Sequence, residues 1–259
     1  MPASVTLERR DGAAIIRYAN APTGFISNGG AAQLADAVQA GLDDAQTRVL
    51  ILTGQDDVFI RHADVAQIAR AAQAVADGAI QPASFIGAPF DRLGRLIERA
   101  DKPVIAAING VCMGGGFEIA LACHMRIAQA SVQAIGLPEI RLDIFPGAGG
   151  PERLSRLIGP HRARLFMLDG SVVGADVALA QGLVDAVAPD ALVAALDVAA
   201  GWAGRSQRAV AAILGLTRPD DGHAVNSVEA FGQLLRDDAA IRPRLARFTT
   251  DGEALDALP

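Results

Sequence analysis

Three consecutive glycines, Gly114-Gly115-Gly116, follow a run of apolar residues, and Glu118 stands two residues beyond them. A strand that ends in glycines and passes into a helix presents unpaired backbone N–H groups at the positive end of that helix. Such amides suit an anion, or an oxygen that gains negative charge during a reaction. Glycines here also serve close packing of a strand on a helix, and the spacing alone leaves both readings open. Glu118 weighs on the chemical side, because a carboxyl in the most apolar stretch of the chain must be paired or useful. Burial raises a carboxyl pKa toward the range of proton transfer.

A second acid, Glu139, follows Pro138 and is succeeded by Phe145-Pro146-Gly147-Ala148-Gly149-Gly150. Two carboxyls in apolar, glycine-rich contexts are candidates for an acid/base pair. Helix capping, or an ion pair with Arg126 or Arg141, is the ordinary alternative. The segment ILTGQDDVFIRHAD adds a third element, in which a strand leads through a loop to Asp64 as helix cap and leaves the Ala63 amide beside the helix start. Arg61 and His62 are the unusual residues of that loop, and a lone histidine is ordinarily a satisfied polar or surface residue. Neither a G-x-G-x-x-G nor a Gly-Lys-Ser/Thr fingerprint is present, which sets nucleotide loops aside. Cys112 and Cys123 form no zinc spacing and no disulfide framework, so a reducing, cytoplasmic setting is expected.

The elements that must position these residues follow from patterning. Asp11-Gly12 between SVTLERR and AAIIRYA predicts a hairpin. Asn28 is the expected cap of a helix carrying Leu34, Val38 and Leu42, and RVLILT, residues 48–53, reads as a buried strand. Asp64 is the expected cap of a helix carrying Val65, Ile68 and Ala72, which Gly78 and the stretch 82–89 interrupt as a surface loop. After a short helix with Phe90, Leu93 and Ile97, residues 104–123 read as buried strand, glycine turn and helix start. Asn109, the glycines and Glu118 argue against a membrane span there. Helical signals dominate beyond Gly150, so the chain passes from an α/β part to a mainly helical end.

The composition agrees with one large domain or two small ones: 259 residues, 51% hydrophobic and 20% charged, far from the profile of disorder. A net charge of −6, with Lys102 the only lysine, argues against a nucleic-acid partner. The start, MPASVTLERRDG, lacks the basic and apolar regions of a signal peptide.

Together the three segments resemble the crotonase, or enoyl-CoA hydratase/isomerase, superfamily. FIRHAD resembles the family's F-x-x-G-A-D, KPVIAAINGVCMGGGFEIALAC its glycine block, GLPEIRLDIFPGAGGPERL its PE…PGAGG-x-x-RL block, and SVVGADVALAQGLVDAVAP the segment behind it. The resemblance implies an α/β spiral of repeated ββα units over about 1–195, and a helical region over 196–259 that serves oligomerisation, as homotrimer or homohexamer, and covers the active site. It implies an oxyanion hole at the amides of Ala63 and Gly115, catalytic Glu118 and Glu139, and positioning of water or substrate by Gly147, Gly114 and His62. Arg61, Asp64 and Ile68 would meet CoA or the acyl group. The implied substrate is an acyl-CoA thioester, with no metal and no cofactor beyond the CoA it carries, and the implied reaction is addition of water to a trans-2-enoyl-CoA. Isomerisation, thioester hydrolysis and non-catalytic acyl-CoA binding are the rival activities.

Several positions depart from the family pattern. His62 stands where the family has Gly, and its imidazole is expected either to meet the ligand or to point to solvent. His124 stands where Asp is common, and Ala21-Pro22 lacks the usual Arg. The C-terminal AAIRPRLARFTTDGEALDAL replaces the usual basic run, leaving Arg242, Arg244 and Arg247 as candidates for phosphate contact or as a solvated basic face.

Overall fold

The computed structural model describes residues 3–218, 222–239 and 241–251. Strands β1 (Ser4–Arg10) and β2 (Ala13–Ala19) form the expected antiparallel hairpin, with Leu7 opposite Ile16. Asp11 and Gly12 both take positive φ, 48° and 82°, the geometry that an Asp-Gly turn between twisted strands requires. Helix α1 (Asn28–Asp43) follows, but its cap is Ser27, whose hydroxyl accepts from the Gly30 amide at 3.1 Å. Asn28 is thus the first helical residue rather than the cap; its amide donates to Gln67 Oε1 instead.

Next come β3 (Val49–Gly54), β4 (Val58–Ile60) and α2 (Val65–Ala76), then α3 (Pro89–Glu98). The same alternation recurs in β5 (Val104–Ile108), β6 (Val111–Met113) and α4 (Gly115–Ala122). It recurs again in β7 (Met125–Gln129) and β8 (Ile135–Gly136), followed by α5 (Gly150–Ile158). The first strand of each unit joins a six-stranded sheet, β1-β2-β3-β5-β7 with a last strand, β10 (Ala186–Ala188), at its edge. The second strand joins a four-stranded sheet, β4-β6-β8 with β9 (Val172–Val173). The chain therefore winds as a spiral of ββα units. Parallel β3 and β5 are buried along their whole length, as strands covered on both faces must be.

The remaining helices are α6 (Pro160–Leu168), α7 (Ala175–Ala180), α8 (Ala191–Ala203), α9 (Gln207–Leu216), α10 (Gly222–Asp237) and α11 (Ile241–Asp251). Ala191, Ala195 and Ala199 of α8 pack on Ile51 and Ile105 of the larger sheet, so positions 195 and 196 lie inside one helix that belongs to the core. Helices α10 and α11 fold back on α2, where Phe231, Leu235 and Leu245 form a second core with Val65, Leu142 and Ile144. The stretch 82–89 is more ordered than a surface loop: Pro82–Phe85 is a 3-10 turn, with Pro82 buried and α10 packed on it.

Lys102 is buried at the end of α1. Its ammonium donates to the carbonyls of Gly41, Leu42 and Asp44, groups that the helix leaves without partners. Burial lowers its pKa from the usual value, and the one lysine of the chain serves the fold.

Candidate active site

The loop before α2 is held by a single parallel bridge. The Ile26 amide donates to the His62 carbonyl and the Asp64 amide to the Ile26 carbonyl, both at 2.8 Å. The intervening Ala63 therefore turns its own N–H away from the bridge, and no acceptor is found for it among the described residues. At the end of β6, Gly114 adopts φ 50° and ψ −129°, a conformation open to glycine, and its amide donates to the Gly136 carbonyl. This bend sets Gly115 as the first residue of α4, with its N–H likewise without an acceptor among the described residues. A Cβ on Gly115 would lie 3.4 Å from the Ala63 nitrogen, so the two amides are neighbours.

One turn along α4, the Glu118 carboxyl is buried, and its Oε1 accepts from the amides of Ala148 and Gly150, each at 2.8 Å. The PGAGG loop thus acts as a two-amide clamp on one carboxyl oxygen. Burial pushes the Glu118 pKa up from 4.5 to about 7, while the two amides and Arg153 hold it from rising further. Glu139, at the start of a 3-10 turn before Ile144, is also buried, and its Oε2 lacks a hydrogen-bond partner among the described residues. Its pKa lies well above the usual carboxyl value, first through burial and second through the Glu118 carboxyl. Arg126 is not the partner of either acid; it pairs with Asp185 at 2.8 Å.

Both acids and the Ala63, Gly114 and Gly115 backbone line one cavity of about 150 Å³, whose walls are otherwise mostly apolar. Gly147, His62, Asp64 and Ile68 line it as well. The Asp64 carboxylate, however, accepts from the Gln67 amide as the cap of α2. Arg61 stands outside the cavity lining, although the adjacent His62 and Ala63 are part of it. His62 does not point to solvent. It is 2% exposed, stacks on Phe25 at 5.5 Å, meets Phe248 of α11 edge-on at 6.3 Å, and places Nδ1 2.7 Å from the Ala63 carbonyl oxygen. His124 accepts the Val104 amide on Nδ1 at 3.0 Å; burial lowers its pKa to about 4, so a neutral imidazole supplies the acceptor.

Two contributors lie outside the residues that the sequence singles out as candidates. Arg153 lies beneath the PGAGG loop and donates to the carbonyls of Ala148 and Glu118. Phe231 of α10 covers Gly147 so closely that a Cβ there would overlap its ring. The first is foreshadowed by the Arg of PGAGG-x-x-RL, whereas a phenylalanine on a helix 84 positions away carries no local signal. Of the C-terminal arginines, Arg244 pairs with Asp143, and Arg247 is exposed on α11. Residues 240 and 252–258 of that segment lie outside the described residues.

A family model described as enoyl-CoA hydratase/isomerase matches residues 10–217. The chain belongs to this family. Among curated relatives, a crotonyl-CoA hydratase of Syntrophomonas wolfei subsp. wolfei is 38% identical over 187 residues, covering 71% of this chain and 68% of that protein. The fatty acid oxidation complex subunit alpha of Idiomarina loihiensis is 41% identical over 158 residues, covering 61% of this chain and 21% of that much longer protein. The crystal structure of a carnitinyl-CoA hydratase from Mycobacterium avium superposes with a TM-score of 0.76 at 26% identity, covering 95% of each chain. The ββα spiral and helical C-terminal region are those of the enoyl-CoA hydratase/isomerase family. Among the described residues no cluster of His, Cys, Asp or Glu is suited to hold a metal ion, and no helix is long and apolar enough to cross a membrane.

Proposed function

We propose that this member of the enoyl-CoA hydratase/isomerase family is an enoyl-CoA hydratase, converting a trans-2-enoyl-CoA to a 3-hydroxyacyl-CoA. The observation that carries the reading is the convergence of two buried glutamates, held in different electrostatic states, on one cavity with two free adjacent amides. The amides of Ala63 and Gly115 receive the thioester carbonyl oxygen. As water adds to C3, the C2=C3 electrons move toward that oxygen, and each fixed donor lowers the barrier by about 3 kcal/mol. Glu118, clamped by Ala148 and Gly150, takes a proton from the attacking water. Glu139, kept protonated by burial and by its acidic neighbour, delivers a proton to C2. One acid receives a proton and the other gives one up, so exchange between them or with solvent resets the site. Conjugation with the thioester activates C3, and no cofactor beyond the CoA of the substrate enters this scheme.

Gly114 and Gly147 shape the site by leaving room where side chains would intrude, and Ile68 contributes to the acyl wall. The helical C-terminal region supplies part of the cavity wall through α10 and would assemble the chain as a trimer or hexamer; exposed Ile213 and Leu216 on α9 support such an association. The two unpaired cysteines support a cytoplasmic setting.

The test is purified protein with crotonyl-CoA. Loss of enone absorbance together with a mass gain of one water and no free thiol is the expected result. Unchanged absorbance with crotonyl-CoA and longer 2-enoyl-CoAs, or thiol release, overturns the reading in favour of isomerase or thioester hydrolase chemistry.

A further inference from the structure

Aromatic residues are scarce in this chain, which has nine phenylalanines, one tyrosine and one tryptophan. Six of the nine phenylalanines surround the candidate active site: Phe85, Phe90, Phe145 and Phe231 line the cavity, while Phe25 and Phe248 flank its His62 wall. They come from elements far apart in sequence, so the concentration is a product of the fold. Phe231 meets Phe145 edge-on at 5.6 Å and 83°, and Phe85 at 6.2 Å and 88°. These are the separations and angles that mutually attracting rings adopt. The ring of Phe90 lies 3.1 Å from where a Cβ of Gly115 would stand, beside the amide assigned to the thioester oxygen. The ring of Phe231 covers Gly147, next to the Ala148 amide that holds Glu118. A substituent on C3 of a bound thioester therefore runs from the acids into a chamber whose wall joins four phenylalanine rings to aliphatic side chains, among them Ile68, Leu142, Ile144 and Leu235.

The chamber is small. The whole cavity, acids and amides included, is about 150 Å³, on the scale of a benzene-sized group. A straight chain gains as much from Leu or Met walls as from rigid rings, whereas an aryl group gains ring–ring contacts as well. Building on the hydratase reading, we infer that the preferred acyl group carries an aromatic ring on C3, as in a 3-aryl-2-propenoyl thioester.

Binding separates this inference from turnover. With the unreactive thioesters 3-phenylpropanoyl-CoA, hexanoyl-CoA and decanoyl-CoA, calorimetry on the intact protein is expected to give a Kd about tenfold lower for the aryl thioester than for either straight chain. Phe231→Leu and Phe145→Leu should each shrink that ratio. Equal or tighter binding of decanoyl-CoA by the unaltered protein overturns the inference, as does a ratio that both variants leave unchanged. A kinetic arm runs the reaction toward the enoyl product, which ring conjugation favours: 3-hydroxy-3-phenylpropanoyl-CoA should be dehydrated with a higher kcat/KM than 3-hydroxydecanoyl-CoA. If crotonyl-CoA is hydrated but decanoyl-CoA binds better, the aryl preference alone fails. If the aryl thioester binds better and no enoyl thioester is hydrated, the hydratase reading alone fails.

Discussion

Arg153 donates through Nη1 to the carbonyl oxygen of Ala148, the residue whose amide holds Oε1 of Glu118. Its Nη2 pairs with Glu98 of α3 at 2.8 Å, and the guanidinium is almost wholly buried, seated where Gly94 and Gly149 carry no side chain. The charge of α3 thereby fixes the loop that clamps the candidate base. Arg153→Met should destabilise the fold by about 3 kcal/mol, because Glu98 loses its buried partner. It should also lower kcat more than it raises KM. Arg156, half-exposed on the same carboxylate, provides the contrast: Arg156→Met should change stability by less than about 1 kcal/mol. Urea unfolding and initial rates check both, and a folded Arg153→Met protein with unaltered kcat would remove Arg153 from the positioning of Glu118.

Glu118→Gln and Glu139→Gln keep side-chain shape and remove proton transfer. In Glu118→Gln the remaining side-chain oxygen can still accept from Ala148 and Gly150, so the loop should stay in place. Each variant is expected to fold and to lose roughly 100-fold or more in kcat for crotonyl-CoA hydration. A protein that bound acyl-CoA without turning it over would show equal behaviour in all three forms, and the absorbance assay separates the cases.

The two acids also set the pH dependence. Glu118 must be ionised to accept a proton, so kcat/KM should rise with pH through about 7. Glu139 must be protonated to donate, so kcat/KM should fall again as pH passes its pKa, which burial and the Glu118 carboxyl raise above the usual carboxyl value. Stability runs the other way. A carboxyl whose pKa is raised in the folded state binds its proton more tightly there than in the unfolded chain, so stability falls as pH rises from 4.5 to about 7. For Glu118 the loss amounts to about 3 kcal/mol. Glu118→Gln should therefore be less sensitive to pH across that window and more stable than the unaltered protein at pH 8. Thermal unfolding at pH 5 and pH 8 measures the difference, and an unaltered protein no less stable at pH 8 than at pH 5, relative to the variant, refutes it.

The parts of the fold and site that local chemistry determines could be read ahead of the structure. Asp11-Gly12 demands positive φ and makes a hairpin, and Asp64 caps the next helix, whereas glycines before an acid leave amide presentation and close strand–helix packing both open. What could not be read depends on contacts between distant segments. Ser27 rather than Asn28 caps α1, and the Asn28 amide is engaged instead by Gln67, 39 positions on. His62, an ordinary polar residue in its loop, is buried because Phe25 and Phe248 close on it from either side. Arg153 looks like one charge on an amphipathic helix until α3 supplies Glu98. The aromatic wall is invisible to any window of sequence, since its rings converge from the 3-10 turn at 82–85, α3, the PGAGG loop and α10.

Lys102 invites the expectation of a phosphate contact, and its surroundings predict otherwise. The ammonium satisfies three carbonyls at the end of α1 and is 8% exposed. Lys102→Met should lower stability by about 2 kcal/mol, since those carbonyls would be left buried without a donor. KM for crotonyl-CoA should stay unchanged. A raised KM with undiminished stability would reassign this lysine to the CoA phosphates.

His62 replaces the glycine of the family pattern with a buried ring that contacts both the candidate oxyanion loop and α11. His62→Gly removes the stack on Phe25 and the edge contact with Phe248, and frees the backbone that presents the Ala63 amide. The void and the lost packing should destabilise the protein by about 2 kcal/mol. Loss of the wall between the cavity and α11 should relax discrimination among acyl groups, raising kcat/KM for bulky enoyl thioesters relative to crotonyl-CoA. The loosened loop should lower kcat for both. Steady-state kinetics across a series of acyl sizes, read beside thermal unfolding, tests each part. An unchanged order of preference in a destabilised variant would confine His62 to packing.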